Sequence, residues 1–259
     1  MSIEIAKERK YCKINKLMQE IPKGLVLLSP WLRSKGYSYE LQQRYRLSGW
    51  LKSIGTGAML KSGDELTLFG ALAALQNQAD LNIHIGGRSA LELSGVSHYL
   101  QINQQEVVIF LDSKISLPAW FANNQLMTTT KIFHTTLYNN DSLGMIDYKE
   151  GELTMKISSP IRAIMECLYL CPNLFSLQET YELMEGLQTL HPTQVQKLLE
   201  DCKSIKVKRL FLYFAERANL VWLKYIDINN INLGKGIRSL ATDGAYVSKY
   251  HLVLPKELI

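Results

Sequence analysis

The sequence predicts an α+β protein, an N-terminal winged helix-turn-helix followed by a larger mixed α/β C-terminal domain with a helical, bundle-like segment. Three observations carry that prediction. Between Ser29 and Lys61 the punctuation reads cap, helix, glycine turn, cap, helix, glycine hairpin. The charge is split: residues 1–63 hold twelve Lys/Arg against four Asp/Glu, net +8, and the remaining 17 against 20 give −3. Beyond residue 63, strand and helix periods alternate to about residue 157, after which helix periods dominate to about 226. With 259 residues, 47% hydrophobic and 20% charged, the chain is long and apolar enough for two ordinary domains. The boundary is expected at Lys61-Ser62-Gly63-Asp64, giving domains 1–63 and 64–259.

Taken in order, residues 4–20 read as a first helix. Ile14, Leu17, Met18 and Ile21 share its apolar face, and Lys7, Arg9, Lys10, Lys13 and Lys16 lie mostly off it. Leu25–Leu28 is a short apolar link or strand. Ser29-Pro30 starts a second helix, with a capping hydroxyl and a proline where a missing N–H costs nothing. Gly36 supplies the tight turn, and Ser38 caps a third helix over 39–47 that turns Leu41 and Tyr45 inward. Trp50–Ile54, Gly55-Thr56-Gly57 and Ala58–Lys61 then form a hairpin.

In the remainder, Leu66–Gln78 is a helix facing Leu68, Phe69, Leu72 and Leu75 inward. Leu81–Ile85, Val107–Leu111, Lys131–Leu137 and Leu153–Ile157 read as strands, with a helix after Gly86-Gly87 and a helical turn over Leu117–Phe121. Ser159-Pro160 opens a helix apolar nearly all round. Its interruptions Arg162 and Glu166 stand four apart, where they can pair. Ser176-Leu177-Gln178-Glu179 is a capping box. Further helices start at Pro192 and Ser204, the latter carrying a basic stripe of Lys203, Lys206 and Arg209 expected on a solvated face. Asp243-Gly244 suggests a terminal hairpin between Ile237–Leu240 and Tyr246–Leu254.

Helix, turn, helix and hairpin with polar, basic outer residues is the layout of a DNA reader. Tyr39, Gln42, Gln43 and Arg46 are the expected base readers or their neighbours, because amide and guanidinium groups pair bidentately with base edges. Arg44, Lys52, Thr56 and Lys61 are the expected phosphate contacts. The alternative is a protein-interaction module whose helix-turn-helix docks on a partner instead.

Other chemistry finds little support. Cys12, Cys167, Cys171 and Cys202 lack metal-site spacing, the five histidines are scattered, and no catalytic motif is present. Neither a metal nor another cofactor is expected. Gly86-Gly87 at a strand-to-helix turn could hold a phosphate, but a simple tight turn explains it as well. Asp147, Glu150 and Glu152 could serve a nuclease, though Lys149 and Gly151 among them fit a solvated hairpin. With no signal-peptide or membrane-length apolar run, a cytoplasmic location is expected.

Several stretches together resemble the AbiEi family, the antitoxin and repressor of bacterial AbiE abortive-infection toxin–antitoxin systems. They are Lys13–Leu17 with Pro22-Lys23-Gly24, Ser38-Tyr39 through Gln43-Arg44-Tyr45, and Ser48–Leu51 with Ile54–Ala58. His84–Gly87 with Ala90–Leu93, Leu117–Phe121, Ile157–Pro160 with Arg162–Ile164, and Ser204–Phe211 continue the likeness to the C-terminus. Ile161 departs from the acidic residue expected after the proline. The resemblance implies a winged helix-turn-helix that binds inverted repeats in the operon's own promoter. It also implies a C-terminal domain that neutralises a nucleotidyltransferase-like toxin, in the type IV manner, without a stable complex.

Overall fold

The computed structural model describes residues 13–96, 106–124, 126 and 130–259. Lys7, Arg9, Lys10, Cys12 and His98, with the expected first turns of the opening helix, lie outside them. The chain packs as two compact units. One comprises the chain up to Ile83 with Lys114–Thr130 and Asp147–Lys156. The other comprises His84–Ser113, Lys131–Ile146 and Ile157–Ile259.

The first unit begins with α1, described over 13–20. Then come β1 (Leu27–Leu28), α2 (Ser29–Ser34), α3 (Tyr39–Leu47), β2 (Leu51–Gly55), β3 (Ala58–Lys61) and α4 (Leu68–Ala79). The predicted apolar face of α1 is inward: Ile14, Leu17 and Ile21 join Leu27, Leu32, Tyr37, Tyr45, Leu51 and Met59 in one core. β1 adds to the hairpin, so the three strands run β1-β3-β2. Residue 63 falls between β3 and α4, and α4 stays with this unit. Its Gln78 accepts from the Leu28 N–H at 2.8 Å and donates to the Val26 carbonyl at 2.7 Å. That closes the β1 edge, which would otherwise leave backbone groups unpaired.

Further along come β4 (Ile83–Ile85), α5 (Gly87–Leu93), β5 (Val107–Asp112), α6 (Ala119–Ala122), β6 (Thr130–Thr135), β7 (Met145–Glu150) and β8 (Leu153–Ser158). Five strands form a sheet in the order β6-β5-β4-β8-β7, with β4 and β8 parallel at Ile85 and Ile157. Leu153, Met155 and Ile157 of β8 are buried while Thr154 and Lys156 are exposed, the alternation expected of a strand with one wet face.

In the second unit α7 (Pro160–Leu170) is the central helix, packed by α5, α8 (Leu177–Glu185), α9 (Pro192–Asp201) and α10 (Ile205–Arg217). Ile161, Ala163, Ile164, Met165, Cys167 and Leu168 are buried, as its all-round apolar sequence predicts. Ser159 caps it, accepting from the Arg162 N–H.

Two expectations are corrected here. Of the basic stripe, Lys203 is exposed as expected, but Lys206 and Arg209 on α10 do not form a solvated face. Arg209 is 1% exposed, and its guanidinium donates to the carbonyls of Leu233, Gly234 and Gly236 at 2.8, 3.1 and 2.6 Å. Lys206 donates to the Tyr169 and Cys171 carbonyls, capping the C-terminal end of α7, where a cation is favoured. The terminal strands also pair differently. β9 (Arg238–Ser239), β10 (Ala245–Val247) and β11 (Leu252–Leu254) form a sheet ordered β10-β11-β9. The hairpin is therefore β10–β11, reversed at Ser248–Tyr250 and His251, and β9 runs parallel to β11 instead of pairing across Asp243-Gly244.

Candidate nucleic-acid interface

The helix-turn-helix is held by its turn. The Gly36 N–H donates to the Arg33 carbonyl and the Tyr37 N–H to the Leu32 carbonyl, at 3.0 and 2.9 Å. Gly36 has φ +85°, a conformation that a side chain would strain. Ser38 caps α3 as predicted, accepting from the Leu41 N–H at 3.3 Å. Ser29 does not cap α2; the helix begins at Ser29 itself, after Leu28. The Ser29 hydroxyl donates instead to Gln42 Oε1 at 2.5 Å.

That bond exposes the main correction among the expected site residues. Gln42 is 2% exposed, not on the outer face. Its Nε2 donates to the Tyr37 and Ser29 carbonyls at 2.7 and 3.2 Å, so its donors and acceptor are all spent inside the motif. Gln42 fixes α3 against α2 and the turn and has nothing left to offer a base. Four-residue spacing places both Gln42 and Arg46 near one helix face, and sequence alone does not show how far that face turns inward. Lys61 is also engaged: its ammonium donates to the Ile21 carbonyl at 2.8 Å, just after α1, a cation's usual place at a helix C-terminus.

The other expected residues are exposed. Tyr39 is 51% exposed, with the Arg33 guanidinium 5.4 Å from its ring centroid. Gln43, Arg44 and Arg46 on α3, and Lys52 and Thr56 on the hairpin, face solvent. β2 and β3 pair from Leu51↔Lys61 to Gly55↔Ala58, with a bulge between Ser53 and Gly55. At its tip the hairpin rests on α6, where a Cβ on Gly55 would stand 2.6 Å from Trp120 Cβ. Between α3 and the hairpin lies a cleft of about 360 Å³, walled by Tyr39, Glu40, Gln43 and Arg46 on one side and Ser53, Gly55 and Gly57 on the other. A first-turn acid ordinarily serves its own helix, so helical periodicity alone does not single out Glu40 as a cleft residue. A hydrogen bond from Ser38 and one from its own N–H hold its carboxyl below the usual range.

The second unit's polar centre is of another kind. Glu166 is fully buried and receives Arg162 Nε at 2.9 Å, His84 Nε2 at 2.9 Å, the Ser158 hydroxyl at 2.8 Å and the Gly87 N–H at 2.9 Å. Arg162 also donates to the Asp141 and Leu143 carbonyls. Burial alone would raise the Glu166 pKa. The His84 charge and hydrogen bond, the Arg162 charge and the Gly87 N–H outweigh it and hold it at about 2. The predicted Arg162–Glu166 pair thus exists, and it decides the Gly86-Gly87 question. The N-terminus of α5 is occupied by the chain's own carboxylate, and a Cβ on Gly86 would lie 2.2 Å from Glu166 Oε2. The glycines admit Glu166, and no phosphate fits there.

Asp147, Glu150 and Glu152 are exposed on the β7–β8 hairpin. Among the described residues, no three His, Cys, Asp or Glu side chains are grouped to hold a metal, and no helix is long and apolar enough to cross a membrane.

Comparison with known families and structures gives three findings. Residues 10–102 match the family model of the AbiEi antitoxin N-terminal domain, a transcriptional regulator. Residues 104–255 match the model of the transcriptional regulator, AbiEi antitoxin, of type IV toxin–antitoxin systems. In fold, the chain is similar to the crystal structure of the RV2827C protein from Mycobacterium tuberculosis. The TM-score is 0.57 at 11% identity, over 93% of this chain and 89% of that one. No curated protein sequence matches the chain significantly.

Proposed function

This chain belongs to the AbiEi family, the transcriptional-regulator antitoxins of type IV toxin–antitoxin systems, and we propose that it represses its own operon by binding promoter inverted repeats. The reading surface is the exposed face of α3 with the hairpin beside it. Tyr39, Gln43 and Arg46 read or flank bases, and Arg44, Lys52 and Thr56 hold the backbone. The observation that carries this reading is the division of labour on α3. Buried Gln42 and Tyr45 lock the helix, and the side chains between and around them are left free beside a cleft of groove-facing residues. The basic balance of residues 1–63 supplies the phosphate attraction.

The rest of the chain acts as the antitoxin, opposing a nucleotidyltransferase-like toxin encoded alongside, in the cytoplasm and without a stable complex. The protein is a regulator and not an enzyme in this reading. One observation favours the rival docking module: Leu47 is 81% exposed and Trp50 44% exposed at the end of α3, and apolar side chains of that size suit a protein partner. A gel shift of the full chain decides between them. Repression requires tighter binding to DNA upstream of its own gene than to random duplex of the same length. Equal or absent binding to both, with capture of the co-encoded toxin through Leu47 and Trp50, favours docking.

A further inference from the structure

The order of side chains on α3 specifies what the proposed operator contains. Glu40, Gln43 and Arg46 follow each other at three-residue intervals, all exposed, and all three line the cleft between α3 and the hairpin. Their chemistries differ in sequence along that ridge. Glu40 only accepts hydrogen bonds, Gln43 accepts and donates, and Arg46 only donates. In a major groove those three capacities match, respectively, the cytosine N4 amino group, the adenine N6/N7 edge and the guanine O6/N7 edge.

The spacing is commensurate. Three helical residues rise about 4.5 Å, so the ridge from Glu40 to Arg46 spans about 9 Å, against about 6.8 Å for the two steps that separate three stacked base pairs, a difference that long side chains take up. Glu40 is also the residue that nonspecific attraction does not explain. It is the carboxylate among the cleft-lining residues of an otherwise basic module, and near phosphates it is repelled. On the DNA, a base amino group donating to it offsets that repulsion.

Resting on the DNA-binding reading above, we propose that Glu40, Gln43 and Arg46 read a three-base-pair core in each half-site. Glu40 selects a cytosine edge, Gln43 an adenine edge and Arg46 a guanine edge, on either strand and in that spatial order. Glu40 is a specificity-determining residue that discriminates against base edges presenting only acceptors at its position, such as the guanine O6/N7 edge.

The test selects preferred sequences from randomised duplex with the full chain, for the wild type and for E40A, Q43A and R46A, followed by gel shifts at one fixed salt concentration. All three substitutions are on the solvated surface, and circular dichroism checks that each variant is folded. The wild type selects a motif with cytosine, adenine and guanine edges at neighbouring positions. Each variant loses preference at one position, by roughly 5- to 150-fold, and the positions fall in the order 40, 43, 46. E40A binding all duplexes more tightly by one common factor overturns the proposal, because it leaves Glu40 as a repulsive charge only. Lost preferences at positions out of ridge order overturn it as well. If the wild type itself selects no sequence, the DNA-binding reading fails first, and the two failures are thereby distinct.

Discussion

The two units spend their polar residues in opposite directions. Around α3 and its hairpin, Glu40, Gln43, Arg44, Arg46 and Lys52 all stand in solvent. In the second unit four charged groups turn inward: Arg162 is 3% exposed, Glu166 0%, Lys208 4% and Arg209 1%. The first arrangement contributes little to stability, since exposed charges are screened, and it leaves capacity for a ligand. The second consumes that capacity. Arg209 is used up on carbonyls of the 233–236 segment, and Glu166 on four donor atoms from four other residues. A charge available to a partner and a charge holding a fold are thus separated by their neighbours and not by residue type.

The sharpest way to break the comparison is to remove one member of the inward set. Glu166→Ala leaves the Arg162 guanidinium, the Gly87 N–H and the Ser158 hydroxyl short of their acceptor. We expect a loss of about 3–5 kcal/mol in urea denaturation. Coupling follows too: R162M/E166L loses less than the sum of its single substitutions. A Glu166→Ala variant as stable as wild type would place Glu166 with the outward set.

Acid provides a second handle. The Glu166 carboxyl sits at about 2 in the folded protein against an ordinary 4.5. A depressed carboxyl contributes stability above its unfolded value and loses it as pH falls toward the folded one. The stability gap between wild type and E166Q is therefore expected to be full above about pH 4.5 and to shrink between there and pH 2, as read by denaturation at each pH. A gap constant across that window contradicts the account.

A smaller effect separates two adjacent glutamines. Gln42→Ala removes three internal hydrogen bonds and is expected to cost about 1–3 kcal/mol in thermal or urea unfolding, with the selected base sequence unchanged. Gln43→Ala is expected to stay within about 0.5 kcal/mol in stability and to change the selected sequence. Exchanged outcomes would reverse which residue faces the groove.

Residue by residue, the pattern explains what the sequence could and could not show. Gly36, Ser38, Tyr45 and the Arg162–Glu166 pair were legible because each depends on neighbours within a turn or two. Gln42 and Arg209 were not, because burial is set by partners from other elements: Ser29 lies thirteen residues from Gln42, and Gly236 twenty-seven from Arg209. The terminal sheet was misread for the same reason, since the parallel pairing of β9 with β11 leaves no local turn signal. In the proposed reading surface, the exposed ridge of α3 follows from helical periodicity, whereas its cleft requires the hairpin to be in place.

The smallest expected effect concerns the thiols. Burial raises Cys167 well above its ordinary range and pushes Cys171 and Cys202 up to about 11. At pH 8 the latter two are ionised to about one part in a thousand. In a C12S variant, a thiol reagent is expected to label these three only after unfolding in urea. Rapid labelling of the native protein would show that the second unit opens where the account has it closed.

The central claim is that the outward polar face of the first unit binds DNA, and the salt dependence of full-chain operator affinity tests it most directly. For the wild type, log K is expected to fall linearly with log salt, and the R44A/K52A variant to lower that slope by about two units while keeping the sequence preference. An unchanged slope, with affinity intact, would mean that Arg44 and Lys52 meet no phosphates and that the face binds something else.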